Sequence, residues 1–403
     1  MAMNAIKNNQ NLIPHDDIIY QILSCIPAKS FSKFRFLNKT WFKILTTDLN
    51  FAKLNYNRST RSNSNPSILA KRLATNEFYL AAEHRSCDNA VKLKVPFDYE
   101  GIGSRNSYYV DGICNGLVCL SHCDRKEVFI WNPITKDHIS IGYSPVESQS
   151  CSCSRTTYFA FGFHQGINEY KVIKVVTAST FMSVSSSDFN LHFSVFTLGK
   201  DSSWRTLHEN MACDLSLSSS LVNGSLHWLT RKKGSGYEDF IVCFNLETEA
   251  FGTMLPPDGV DLNAKHVCPT VGELDGLLCL YCAHFRQEIQ IWVKRKYHGD
   301  RSWTQLFRIG IPVCGRFHDL GLLGPVSYNG QYILQKNNNE LILYNPRSNS
   351  IKMLKGFGFQ FLCAYRFIGS IISPRLISGA GCNTTDGRGR IIKRKKVYHL
   401  PTS

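Results

Sequence analysis

The chain has 403 residues, of which 43% are hydrophobic, and its formal net charge is +15. This length exceeds one ordinary compact core and predicts two or three domains or a repeat architecture, while the hydrophobic share excludes large-scale disorder. Because most of the positive excess is spread along the chain, the composition argues against a dedicated nucleic-acid groove.

The cysteine usage indicates a reducing compartment. The chain has 15 cysteines, an odd number, and its opening "MAMNAIKNNQNLIPHDD" has no apolar core of a secretory signal. No apolar run reaches the length of a membrane span. We therefore expect reduced thiols, a cytoplasmic and/or nuclear location, and no membrane partner.

The first unit, residues 10–55, has helical spacing. Three short helices are predicted from "HDDIIYQILSCIP", "KSFSKFRFLN" and "KTWFKILTTDLNFAKLNY". So short a unit cannot enclose all of its large apolar side chains, so we expect the helices to be buried against another surface. The polar stretch that follows predicts a linker over residues 56–67.

Residues 68–376 carry a repeat of short strands. Asn-Gly or Asp-Gly turns end at Gly116, Gly224, Gly276 and Gly330, which are 108, 52 and 54 residues apart, and a further copy with "GINE" as its turn fills the first gap. Such dipeptides suit two-residue hairpin turns, and a four-stranded unit of about 50 residues predicts a β-propeller blade.

The ends of this region predict how the ring closes. A partial unit beginning at "SILAKR" lacks an inner strand, and "FQFLCAYRFIGSIISP" supplies a spare one, so that joining them closes a six-bladed ring. An open pair of β-sandwiches is the alternative fold. The first and third turns of each unit are mostly tight, and the other connections are long, which predicts a recognition face built from loops 143–157, 178–190, 231–239 and 256–267.

The last segment, residues 377–403, predicts a disordered tail. It contains a positive run with no acid inside it, formed by Arg388, Arg390, Lys393, Arg394, Lys395 and Lys396. Charge blocks of this kind are usually solvated and disordered, and a nuclear address is the alternative interpretation.

Few residues have the spacing of a catalytic or metal site. Cys279 and Cys282 form a C-x-x-C near Cys268, but they fall in an apolar strand, which favours core packing over zinc. The acids of "HDD" at 15–17 suit a helix start, and His227 in "SLHWL" suits a strand packed in the core. G-x-S-x-G, H-E-x-x-H and Walker-type patterns are absent from the sequence. We therefore predict no catalytic residue, no metal and no cofactor.

Two parts of the chain resemble known families. The stretch "IPHDDIIYQILSCIPAKSFSKFRFLNKTWFKIL" resembles the F-box motif. The stretches "GICNGLVCL", "IWNPITK", "FAFGFHQGINEYKVIKV", "VNGSLHWL" and "CAYRFIGSIISP" resemble the plant F-box-associated interaction domain. The resemblance implies a multidomain α plus all-β chain, with a three-helix F-box followed by a kelch-like β-propeller, for which the repeat predicts six blades.

The same resemblance implies partners and a function. F-box helices dock on a Skp-type adaptor that joins a cullin–RING ubiquitin ligase, and the β domain binds a target protein, so the chain would be a non-catalytic substrate receptor. Three alternatives stay open: a ligand- or glycan-binding propeller not coupled to ubiquitination, a propeller enzyme, and a nucleic-acid reader that uses the tail, which is the weakest. The positions matching the adaptor contacts of the family are Ile13, Pro14, Ile22, Leu23, Pro27 and Phe34.

Overall fold

The N-terminal part of the computed structural model is helical. Helix α1 spans Ile13–Ser24, a 3-10 turn spans Ala28–Ser30, α2 spans Lys39–Thr47 and α3 spans Leu49–Arg61. No helix among the described residues is long and apolar enough to cross a membrane. The structure describes residues 13–31, 39–61, 67–73, 75, 77–81, 87, 89–95, 108–122, 127–142, 153–180, 190–211, 213–216, 218–231, 240–260, 262, 267–284, 288–297, 302–310, 326–328, 330–335, 340–354, 357–379, 384–385 and 391–392.

The third predicted helix is two helices, because Asp48 interrupts it. The Asp48 Oδ1 atom accepts a hydrogen bond of 2.9 Å from the backbone N–H of Phe51, which is the bond of a helix N-cap. The Tyr20 hydroxyl donates to the other carboxylate oxygen of Asp48 at 3.4 Å. The cap therefore ends α2, starts α3, and ties the start of α3 to α1.

Six antiparallel sheets follow, and they form the blades of a β-propeller, as predicted. In blades 1 to 5, the strands follow one another in sequence order from the inner edge of the blade to its outer edge. Blade 1 contains β4 Tyr108–Cys114, β5 Leu117–His122, β6 Val128–Trp131 and β7 His138–Ile141. Blade 2 contains β8 Cys153–His164, β9 Glu169–Thr180, β10 Asn190–Thr197 and β11 Arg205–Met211. Blade 3 contains β12 Asp214–Leu215, β13 Ser220–Val222, β14 Ser225–Arg231, β15 Ile241–Asn245 and β16 Phe251–Met254.

The remaining blades complete the ring. Blade 4 contains β17 Val267–Leu274, β18 Leu277–His284, β19 Glu288–Lys294 and β20 Trp303–Gly310. Blade 5 contains β21 Val326–Tyr328, β22 Gln331–Gln335, β23 Leu341–Asn345 and β24 Ser350–Leu354. Blade 6 contains β25 Phe361–Phe367 as its inner strand, then β1 Ser67–Arg72, β2 Phe78–Ala81 and β3 Val91–Leu93.

Blade 6 closes the ring by joining the two ends of the repeat region. Strand β25 pairs antiparallel with β1, from Ser67 opposite Phe367 to Arg72 opposite Phe361. This pairing confirms the predicted use of the C-terminal strand and covers an edge that would otherwise present unpaired backbone groups.

Aromatic side chains fill the spaces between neighbouring blades. The rings of Phe78 and Trp131 join blades 6 and 1 with centroids 5.7 Å apart, and those of Phe193 and Phe251 join blades 2 and 3 at 4.4 Å. Edge-on and tilted rings at these distances bury large apolar area and add a directional preference. The core of the propeller is therefore a ring of inter-blade layers around a central axis.

The predicted tight turns have the required backbone. Asn115, Asn223 and Asp275 have φ angles of 52°, 50° and 51°, and the glycine after each also has a positive φ. Asparagine, aspartate and glycine tolerate this left-handed region best, which is why these dipeptides punctuate the repeat. At Gly116 a side chain would also meet the backbone of Ser370 at 2.8 Å, so the position admits only glycine.

The predicted start of the linker, at residue 56, and the predicted end of the propeller, at residue 376, both fall inside helices. Helix α3 continues to Arg61, six residues into the predicted linker, because Tyr56 packs against the propeller core and neither proline nor glycine interrupts the helix before Pro66. Helix α4, Pro374–Ser378, crosses the boundary at 376, and in the predicted tail β26 Thr384–Thr385 pairs with β27 Ile391–Ile392. The charged residues of the basic run lie outside the described residues.

Candidate adaptor-binding surface and propeller cavity

The N-terminal helices have a small core of their own. Phe51 is 0% exposed, and its ring lies 4.9 Å from the ring of Tyr20 and 6.0 Å from that of Phe31, in T-shaped contacts. The side-chain amide of Asn55 donates to the backbone oxygens of Ser24 and Ile26 at 2.9 and 2.8 Å, which satisfies the carbonyls at the end of α1. These contacts fix α1 against α3.

The six predicted adaptor contacts have different environments. Ile22 is 61% exposed on α1, and Pro27 is exposed just before the 3-10 turn. Leu23 is only 2% exposed and lies in the core, so its side chain is not presented on the surface. Ile13 and Pro14 open α1, but their side chains are not among the described ones, and Phe34 lies outside the described residues. Adaptor contact by these residues remains a prediction.

Two further apolar residues of these helices, which the motif comparison missed, are exposed. Ile18 lies one helical turn before Ile22 and is 56% exposed, and Phe42 on α2 is 48% exposed. Residues four apart lie on one face of a helix, so Ile18 and Ile22 form a continuous apolar stripe. The sequence signal for Ile18 was present in the apolar spacing of α1, but that spacing does not distinguish an exposed stripe from a buried one.

The N-terminal helices and the propeller share one core. Phe31, Phe51 and Ala52 belong to the same buried apolar cluster as Leu117 of blade 1 and Ile372 after β25. The Lys29 ammonium also donates to the Ser67 hydroxyl at 3.0 Å, where the propeller begins. The propeller of the same chain therefore buries one face of the helices, as expected.

The helices sit on the face of the propeller that carries the tight turns. Tyr56 and Lys53 of α3 lie beside the turns at Asn115, Asn168 and Gly224, which follow the inner strands of blades 1, 2 and 3. Since antiparallel strands reverse direction at each turn, the long connections leave from the opposite face. Most residues of those long loops lie outside the described residues, and the recognition face remains a prediction.

A cavity of about 540 Å³ lies on the propeller axis, lined by inner strands of five blades. Its charged side chains are Asp111, Glu273 and Arg366 from inner strands and Lys71 from β1. The pairing register shifts between Val110 and Gly112, so Asp111 is the extra residue of a β-bulge. Volumes of this size suit small ligands.

Burial suppresses the acidity of the cavity's neutral groups. Desolvation raises the pKa values of the Cys363 thiol and the Tyr365 hydroxyl, which also share a hydrogen bond. Desolvation similarly raises the pKa of Tyr56, where α3 meets the cavity, and that of Cys114 to about 12. Thiols and hydroxyls in this state are packing and hydrogen-bonding groups rather than nucleophiles.

The remaining candidates for chemistry are structural in the described part of the chain. Cys279 and Cys282 are buried in β18, and no group of three or more His, Cys, Asp or Glu side chains there could hold a metal ion. His227 is 0% exposed, with its Nδ1 3.2 Å from the Ser220 carbonyl and its Nε2 2.9 Å from the Tyr297 hydroxyl. Desolvation lowers the pKa of His227 to about 4, which keeps the ring neutral.

Comparison with known proteins identifies the family. Residues 72–361 match the model of the F-box associated beta propeller domain, which is more than half of the chain. The chain belongs to this family. As a plant F-box protein with an F-box-associated propeller, it has similar proteins in Arabidopsis thaliana.

Three Arabidopsis thaliana relatives show how far the similarity extends. F-box protein At3g07870 is 28% identical over 73% of this chain and 72% of its own, and F-box protein CPR1 is 24% identical over 84% and 83%. F-box/kelch-repeat protein At3g23880 is 24% identical over 73% and 80%. Among solved structures, oligogalacturonate lyase in complex with manganese aligns with 70% of each chain at 10% identity, with a TM-score of 0.42.

Proposed function

We propose that the chain is the substrate-recognition subunit of an SCF-type (Skp–cullin–F-box) E3 ubiquitin ligase. The observation that carries this proposal is the exposed apolar stripe of Ile18 and Ile22, together with exposed Phe42, on helices whose other face is fixed to the propeller. Monomeric proteins seldom leave large apolar side chains grouped on one short unit unless a partner covers them. The partner is a Skp-type adaptor, through which the chain joins a cullin–RING ligase.

In this role the chain has no bond chemistry of its own. The propeller holds a target protein on the long-loop face, away from the F-box helices, and the shared core keeps the two surfaces in a fixed relation. Holding the target near a charged ubiquitin carrier raises its effective concentration at the site of transfer. We propose that this takes place in the cytoplasm, the nucleus or both, with no nucleic acid and no membrane as partner.

Co-expression with a Skp-type adaptor tests the proposal. The wild-type chain is expected to co-purify with the adaptor, and a double variant with Ile18→Asp and Ile22→Asp is expected to lose it. Complete burial of each apolar side chain contributes roughly 1.5–3 kcal/mol, so losing two of them should weaken binding by about a hundredfold or more. Both residues are exposed, so the variant should keep the β-rich circular dichroism of the wild type.

A matched control uses exposed apolar residues on the propeller. Leu255 and Met353 are 52% and 46% exposed, and aspartate at both positions changes charge and hydrophobicity equally. This control should bind the adaptor as the wild type does. If the folded wild type binds none of several adaptors, the receptor proposal is wrong, and a ligand-binding propeller that uses the 540 Å³ axial cavity becomes the better candidate.

A further inference from the structure

A second cavity lies between the F-box helices and the propeller. It has a volume of about 620 Å³, and its walls come from α3 on one side and from the turns of blades 1, 2 and 3 on the other. The helix contributes Lys53, Tyr56 and Asn57, and the turns contribute His164 and Asn223 among others. We call this cavity the junction cleft.

Among the lining residues that the structure describes, the junction cleft has one lysine and neither Asp nor Glu. The Lys53 ammonium donates to the Asn168 side-chain oxygen and lies 6.0 Å from the centre of the Phe163 ring. Within the described part of the chain, no carboxylate oxygen lies within 4.0 Å of this ammonium.

The charge of Lys53 is therefore only partly compensated. Partial burial of the Lys53 side chain lowers its pKa by desolvation. An amide oxygen and a ring face stabilise a cation less than a carboxylate does, because neither carries a full negative charge. An anion that enters the cleft would supply the missing charge.

Hydrogen-bond donors surround the same space. Asn57 on α3 and Gln165 and Asn223 on the turns line the cleft with exposed side-chain amides. The Nδ1 atom of His164 accepts from the backbone N–H of Ile167 at 3.3 Å, which places the ring proton on Nε2. The Oε2 atom of Glu247 lies 3.6 Å from that Nε2, and Glu247 is not among the described lining residues of the cleft.

We infer that the junction cleft binds a small molecule carrying a phosphate or carboxylate group, with Lys53 as its charged contact and the amides as neutral donors. Such a ligand touches α3 and the propeller turns together, so its binding energy stabilises the F-box against the propeller. The site is separate from the exposed apolar surface and from the long-loop face. It goes beyond the proposed receptor function and does not depend on it.

Titration of the full chain with simple anions tests the inference. Inorganic phosphate, pyrophosphate and acetate are added at constant ionic strength with chloride as the balancing salt, and binding is followed by calorimetry and by the thermal midpoint. Saturable binding is expected for at least one probe, and comparing phosphates with acetate distinguishes the two anion types. Lys53→Gln should weaken it by about tenfold or more, since a charge-assisted hydrogen bond is lost. Lys352→Gln, which removes an equal charge from an exposed strand position, should leave it unchanged.

A second variant keeps the test independent of the lysine. Asn57→Asp places a carboxylate in the cleft, four residues after Lys53 on the same helix, where it would pair with the ammonium. This exposed variant should fold normally and show no saturable anion binding. Absence of saturable binding by the wild type, or equal weakening by Lys352→Gln, would overturn the inference, since the effect would then be the general attraction of a chain with net charge +15.

Discussion

Replacing Phe51 by alanine should destabilise the whole chain rather than the F-box alone. Phe51 is fully buried, contacts Tyr20 and Phe31, and belongs to the apolar cluster that continues into blade 1. Truncating a buried phenylalanine costs about 4 kcal/mol through lost burial and the cavity left behind. Because the cluster is shared, this loss should fall on one cooperative unit.

The size of the unit decides the shift of the thermal midpoint. With about 2.1 cal/mol/K of unfolding entropy per residue, a cooperative unit the size of the 403-residue chain should lose only roughly 5 °C. If the F-box were an independent domain of about 50 residues, the same 4 kcal/mol would lower its midpoint by roughly 40 °C and unfold it. A shared core therefore predicts a small shift of one transition, whereas an independent F-box predicts the loss of its own transition.

Thermal unfolding followed by two signals separates these outcomes. Circular dichroism at 222 nm weights the helices. In a Trp41→Phe background, tryptophan fluorescence reports the propeller alone, because the other five tryptophans lie in the blades. Both signals should move together in Phe51→Ala, while Phe42→Ala, the same change at a 48% exposed position, should shift the midpoint by no more than about 1 °C. Loss of the helical signal while the fluorescence transition stays in place would refute the shared-core argument.

Three further predictions concern the propeller. Asn132 is fully buried, and its side chain makes four hydrogen bonds, two of them to the backbone oxygens of Ser370 and Ile372. Asn132→Ala should therefore lower the free energy of unfolding, measured in urea, by about 3 kcal/mol. The same change at the turn residue Asn345 should lower it by only about 1 kcal/mol. The pKa of His227 is about 4 in the folded chain and about 6.5 when unfolded, so the unfolded state binds the proton first as the pH falls. The free energy of unfolding should therefore be constant above pH 6.5 and fall by up to about 3 kcal/mol toward pH 4. A His227→Gln variant should lack this fall. Gly224→Ala should destabilise more than Gly330→Ala in the same urea assay, because both have positive φ but only the first would place a Cβ against a neighbouring histidine ring; equal losses would contradict the clash.

The propeller was predictable because its signals are local. Type I′ turns need residues such as Asn115 and Gly116 wherever they occur, so the turns reveal the repeat and its period. Pairing of β25 with β1 could be predicted too, since one unit lacked a strand and another strand was spare. In both cases a short stretch of sequence carries the whole physical requirement.

The junction between F-box and propeller was not predictable in the same way. An apolar stripe on α1 shows that one face avoids water, but it does not say whether the chain or a partner covers each residue. Leu23 and Ile22 are neighbours with matching chemistry, yet one is 2% and the other 61% exposed. The extension of α3 through Tyr56 depends likewise on contacts with a distant segment, whereas the cap at Asp48 is a local bond, three residues along the chain, that the sequence analysis missed.

The pairing of β25 with β1 bears on how the chain is completed during synthesis. The F-box helices leave the ribosome first, but the segment around Ile371 and Ile372 that helps bury them follows the last strand of the ring. A product that stops before β25 would lack both a closed propeller and the segment that helps bury its helices. Premature termination should therefore yield a chain that quality control can recognise by its exposed apolar surface.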